Sequence, residues 1–387
     1  MRFAAWATAR AVAAPSRAAP LAWLAALVVA VAGCSSADKP KPTPLETLTS
    51  QTTIGRKTWS VSLDKVTFPI APAVSGDVVA LAAGRTIVVA GVADGAERWR
   101  LDVGANISAG TGTDGKRVAV VTSGNDVVVA EAGRVLWTQP VPTRVATAPL
   151  VAGERVFVLG VDRTIHAFDA LDGSRLWSTQ RPPGDALGLV HQGVLQPYAN
   201  VLLAGQGPRL ALVDSLRGAV TREVSVATPR GTNEVERLAD LVGPAARAGD
   251  VVCVRAFQAS VGCVDAARGT LVWSKPTSGS QGLGADAALV VASDARDKLT
   301  AWKANNGDTA WSHERLQHRA LSGVVVLPKA VVAGDLEGVL HFFDRDTGAT
   351  LQQLPTEGGA VVGTPVLAGR TLVVVKRSGA VVGVTVD

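Results

Sequence analysis

Beyond residue 53 the chain is written in short apolar runs, rich in valine and separated by Gly, Asp and Asn, which predicts strands joined by tight turns. Residues 149–151, 155–159, 164–169 and 174–178 read as four successive strands, with Asp172-Gly173 in the last turn. β-Branched side chains suit a pleated surface, and glycine accepts the positive φ that hairpins demand. Related units run through 78–99, 117–137, 289–311 and 330–352, and a partial unit ends the chain at 365–386. Helical periodicity of any length is missing.

The units share one register. Gly55-Trp59, Gly95-Trp99, Gly133-Trp137, Gly173-Trp177, Gly269-Trp273 and Gly307-Trp311 each place tryptophan four residues after glycine. Gly218 with Arg222 and Gly348 with Gln352 are degenerate copies that fill the gaps. Successive glycines are 40, 38, 40, 45, 51, 38 and 41 residues apart, a spacing of about 42 that belongs to four-stranded propeller blades. The expected fold is therefore all-β: an eight-bladed β-propeller over residues 54–387, with four antiparallel strands per blade. The repeat starts in its tryptophan-bearing strand and ends after three strands of a unit. The strand around Trp59 should thus complete the last blade and close the ring. A tryptophan on every outer strand should wedge between blades, burying about 150–250 Å² each.

The N-terminus has a different pattern. Arg2, Arg10 and Arg17 precede the apolar run 21–32, which suits an export signal and is short for a bilayer span. Val31-Ala32-Gly33-Cys34 then resembles a bacterial lipobox. That resemblance implies a lipoprotein signal peptide over 1–33, cleavage before Cys34 and acylation there; an uncleaved anchor or ordinary secretory cleavage is the alternative. Residues 34–53, with Pro40, Pro42 and Pro44, read as the lipidated cysteine and a flexible tether. Ser35, rather than aspartate, after the cysteine favours the periplasmic face of the outer membrane.

Composition narrows the function classes. The 387 residues are 47% hydrophobic and 18% charged, which excludes a disordered chain. The net charge of +5 is misleading, because the leader holds three arginines and no acid; without it 35 basic and 33 acidic side chains remain. Such balance gives no footprint for nucleic acid. His166, His191, His313, His318 and His341 form no HExxH-like spacing, and only His313 and His318 share a unit. Glycine-rich turns such as 205–207 precede no helix that could present amides to phosphate. Asp169, Asp265 and Asp344 recur unit by unit, as turn-forming residues do. No catalytic residue, metal or cofactor is expected. Cys253 and Cys263 flank a hairpin centred on Gln258, and either a disulfide or two buried thiols fits that placement.

Lipobox, proline-bearing tether and eight repeat units, six with glycine and tryptophan and two degenerate, together resemble the BamB family, propeller lipoproteins of the outer-membrane β-barrel assembly machinery. The resemblance covers the whole chain. It implies a non-enzymatic scaffold, a monomer within a larger complex, that binds the periplasmic POTRA region of BamA and assists barrel folding and insertion, with unfolded outer-membrane proteins as further candidate partners. Tryptophan-bearing repeats also occur in quinoprotein dehydrogenases, so an enzyme is the main alternative; a generic peptide-binding propeller is another.

The two longest intervals hold their extra length after the tryptophan-slot strand, so loops 181–193 and 228–243 should be neighbours on one face. The family's interface carries a Leu-x-Leu-Arg segment and an Asp-x-Asp segment after an ERL-like stretch. Leu187, Leu189 and Asp240 match, and Arg237 lies in Glu236-Arg237-Leu238. Val190, followed by His191, replaces the arginine, and Val242 replaces the second acid. By this resemblance Leu187, Leu189, Val190, His191, Arg237, Asp240 and Val242 are candidate contacts. Ordinary packing against the propeller is the competing role for the two leucines.

Overall fold

A computed structural model of the chain describes residues 40–68, 70–179 and 188–387. The expected signal peptide, Cys34 and Leu187 lie outside these residues. Among the described residues there is no helix, and 32 strands form eight four-stranded antiparallel sheets. The sheets are the blades of a ring. Blades 1 to 7 span residues 73–102, 112–140, 150–179, 195–225, 241–276, 284–313 and 325–355. Blade 8 combines Val366–Ala368, Thr371–Val375 and Ala380–Val386 with Gly55–Ser62, which pairs antiparallel with the last strand. The expected closure is therefore the observed one, and it leaves no sheet open at the chain ends.

The first strands of consecutive blades touch and form the inner wall, while the tryptophan-slot strands lie outermost. Eight apolar clusters make the core, one at each junction between blades. Ala119, Val129 and Trp137 of blade 2, for example, pack with Val156, Val158 and Phe168 of blade 3. Each middle strand is consequently buried on both faces, as in Val78–Ala83, where all six residues are buried. A one-sided alternation does not describe these strands, because a blade has neighbours on both sides.

Tryptophan and glycine key each junction. The indole N–H groups of Trp59, Trp137, Trp177, Trp273 and Trp311 donate to carbonyls of Val92, Ala170, Ser215, Ala304 and Arg345, all in the following blade, at 2.8–3.2 Å. Three residues after each acceptor stands the motif glycine of that blade, close over the ring. The degenerate slots keep the logic with other atoms. Arg222 Nη1 donates to Ala267 O at 2.5 Å. Gln352 Oε1 accepts from the Ile54 and Gly55 amides, both at 2.8 Å.

Trp99 and Trp177 correct the expectation of uniform burial, since both are only half-buried. Blade 2 joins its last strands by a two-residue turn, Ala132-Gly133, which reaches less far over Trp99 than the longer turns do over their indoles. In those longer turns the recurrent aspartates act as turn anchors. Asp169 Oδ1 accepts from Leu171 N at 2.7 Å, and Asp344 Oδ1 from Thr347 N at 2.9 Å.

Cys253 and Cys263 form a disulfide across directly paired residues of adjacent strands. The tether does not extend to residue 53. From Pro42 the segment belongs to the propeller's compact unit. Thr43 N donates to Gln317 O at 3.0 Å, Arg319 Nη1 donates to Thr43 O at 2.8 Å, and Thr52 N donates to Leu351 O at 3.1 Å. Leu45 packs against the junction of blades 6 and 7. Proline spacing alone missed these partners because they lie far away in sequence.

Candidate partner-binding surface

The connections from blade 3 to blade 4 and from blade 4 to blade 5 meet at Asp240. Its Oδ2 accepts from Leu189 N at 2.6 Å, while Oδ1 lies 3.5 Å from Arg163 Nη2, in a turn of blade 3. The Asp240 carbonyl accepts from Phe257 N at 2.9 Å. One half-buried aspartate thus ties two loops and two blades together. Further hydrogen bonds fix the neighbouring chain: Gly243 N donates to Gln192 O at 2.9 Å and Gly193 N to the Thr147 hydroxyl at 3.0 Å. Gly243 has to be glycine, because a Cβ there would come 2.1 Å from Gly193 O.

These bonds display a small set of side chains. Val190 is 51% exposed, Leu189 and His191 are half-buried, and His191 Nδ1 lies 3.1 Å from Gln192 O. In the second loop Glu236 Oε2 accepts from Thr232 N at 2.8 Å and from its hydroxyl at 3.2 Å. Those bonds hold the Glu236 carboxyl below its ordinary value. The turn they brace leaves Arg237 half-buried and Val235 66% exposed. Val235 was missed in the sequence because glutamates flank it and make the stretch read as solvated. Val242 corrects the candidate set: it is 1% exposed, on the innermost strand of blade 5, and belongs to the core.

Ionisable side chains elsewhere serve the scaffold. Buried Asp335 receives Arg319 Nε at 2.8 Å and lies 3.0 Å from His341 Nε2. Burial pushes its carboxyl up, but hydrogen bonds from His341, Val339 N–H and Arg319 outweigh that and hold it at about 2. Arg255, fully buried, donates to the carbonyls of Gln281, Ser278 and Ser293. Burial lowers the Lys376 ammonium to about 8, against the attraction of Asp335. Among the described residues no three His, Cys, Asp or Glu side chains gather where they could hold a metal ion. His313 is buried against Phe343, with ring centroids 4.8 Å apart, whereas His318 is exposed in the following turn.

Eight four-stranded blades, six of them with tryptophan in the same slot, define a β-propeller of the PQQ-repeat class. Within it, the profile of the outer membrane protein assembly factor BamB family matches residues 83–313. The BamB of Burkholderia pseudomallei is 33% identical over 372 residues, covering 95% of this chain and 97% of the relative. That of Bordetella pertussis is 32% identical, covering 93% and 96%. The chain belongs to the outer membrane protein assembly factor BamB family. Among solved structures, BamB from Moraxella catarrhalis superposes with a TM-score of 0.77 at 20% identity, over 86% of this chain and all of that one. A quinohemoprotein alcohol dehydrogenase from Comamonas testosteroni shares the fold at a TM-score of 0.67 and 14% identity, over 86% of this chain and 76% of its own.

Proposed function

We propose that this chain is a non-enzymatic scaffold lipoprotein of the β-barrel assembly machinery, held at the periplasmic face of the outer membrane through acylated Cys34. It docks on the periplasmic POTRA region of BamA and assists folding and insertion of barrel proteins. The observation that carries the docking role is the Asp240 tie. It joins segments from two adjacent connections into one braced surface with Val190 and Val235 projecting from it. Rigid loops presenting a few apolar anchors lose little entropy on binding, and such anchors supply most of an interface's affinity. Family membership supports the assembly role, and the relatives carry assembly-factor names. The scaffold reading is supported further by Asp169 and Asp344, which hold turns, and by Asp335, which pairs with Arg319 inside the propeller. Co-purification of the acylated chain with BamA from outer membranes tests the proposal, and unaltered recovery of BamA with the Val190→Asp/Val235→Asp chain would defeat it.

A further inference from the structure

All eight outer strands carry the same irregularity. One residue, immediately before the tryptophan slot, is left out of the pairing with the third strand. In blade 7 this bulged residue is Leu351, and its carbonyl accepts Thr52 N at 3.1 Å from the chain's own N-terminal segment. The same segment reaches the residues on either side: Gln51 Oε1 accepts from Gln353 N at 3.1 Å, and Glu46 Oε2 lies 3.4 Å from the Thr350 hydroxyl. The protein therefore already sets its own N-terminal segment against one blade edge, with the bulged carbonyl as its backbone acceptor.

The equivalent residues elsewhere fall into two groups. Blades 8, 1 and 4 have Thr58, Arg98 and Thr221 there, each satisfied within the protein: Thr58 by Gly383 O, Arg98 by Asp77 and Thr221 by Leu212 O. Blade 6 has the small Ala310. Blades 2, 3 and 5 instead have Leu136, Leu176 and Val272, exposed by 43%, 42% and 39%. Among the described residues, every large apolar side chain as exposed as these lies in blades 2–5 or in the two loops between blades 3, 4 and 5. Charges and prolines normally guard open strand edges against added strands, and these three edges lack that guard at the bulge.

We propose that the outer strands Arg134–Pro140, Arg175–Thr179 and Thr270–Pro276 are acceptor edges for an extended, apolar-containing segment of a second polypeptide that has not yet folded its strands. The segment pairs its backbone with the bulged carbonyls, as Thr52 does in blade 7, and sets apolar side chains against Leu136, Leu176 or Val272. Backbone pairing supplies tolerance of sequence, and the apolar bulge selects segments of alternating polarity. This goes beyond the scaffold role proposed above and uses different residues from the Asp240 loops.

The test uses the mature chain and a fluorescein-labelled ten-residue peptide of alternating valine and threonine, followed by anisotropy. The chain is expected to bind it, and Leu136→Lys/Leu176→Lys/Val272→Lys to weaken binding by at least about tenfold. N-methylation of the peptide on alternate residues removes the pairing donors without touching the protein, and should abolish binding. Val190→Asp/Val235→Asp should bind the peptide as the parent does, which separates this inference from the BamA reading. Equal binding of the methylated peptide, or an unaffected triple variant, overturns the proposal. So does sedimentation in which the parent is a dimer that the triple variant dissolves, because a second copy would then be the occupant.

Discussion

Gly173 of blade 3 lies so close over the Trp137 indole of blade 2 that a Cβ added to it would fall 2.6 Å from the ring. The glycine also has φ 73°, a conformation that L side chains rarely adopt. Glycine and tryptophan are therefore one device: the turn must be bare and left-handed for the indole to reach the Ala170 carbonyl. Trp137→Ala should cost about 3–5 kcal/mol, as expected for a large buried aromatic, and Gly173→Ala should also destabilise markedly. Trp177→Ala should cost less, because that ring is only half-buried. Urea unfolding midpoints at constant slope measure all three; equal losses for Trp137 and Trp177 would contradict the burial argument.

Asp240→Asn keeps the shape of the side chain but removes its charge beside Arg163 and weakens its hold on the Leu189 amide. Stability should change by about 1 kcal/mol or less, since both partners retain solvent access. Recovery of BamA should nevertheless fall, because the loop that presents Val190 loses its brace. Thermal melting and co-purification, run on the same preparation, separate the two effects. A variant that melts lower yet retains BamA fully would make Asp240 a structural residue only.

The ring was legible in the sequence because its key is local: glycine and tryptophan sit four residues apart, and burial on both faces writes the middle strands as apolar runs. The joining of the two long loops was legible as well, through insertion lengths alone. What joins them was not, since Asp240 reaches Leu189 across 51 residues and Arg163 belongs to a turn with no motif. Val242 was misread for a related reason. An aligned position says nothing about which side of an innermost strand it faces. The docked segment from Pro42 was likewise hidden, because its composition resembles a linker while its partners are distant in sequence.

The Cys253–Cys263 bridge closes a short loop between neighbouring strands that are already paired. Chain-entropy reasoning gives such a loop about 2–3 kcal/mol. The paired Cys253→Ala/Cys263→Ala variant should lose at most that amount and still fold, because blade 5 keeps its junction clusters. Both cysteines are nearly inaccessible, at 2% and 0% exposure, so dithiothreitol should reduce the native bridge far more slowly than the urea-unfolded one. Thiol labelling against time distinguishes them, and rapid labelling of the folded chain would argue against a bridge sealed in the interior.

Asp335 should give the fold a distinct acid sensitivity. Its carboxyl lies at about 2 in the folded chain against an ordinary value of 3.8. The unfolded chain therefore takes up the proton first, so the stabilisation is complete above about pH 4 and drains away as pH falls towards 2. The difference is on the order of 2 kcal/mol. Asp335→Asn removes that titration while leaving a hydrogen-bonding group near Arg319 and His341. The variant should be less stable than the parent at neutral pH, and the gap should narrow between pH 4 and pH 2. Other carboxylates titrate alike in both chains and cancel in the comparison. Parallel unfolding curves across this range, with a gap that stays constant, would show that Asp335 is not the group responsible.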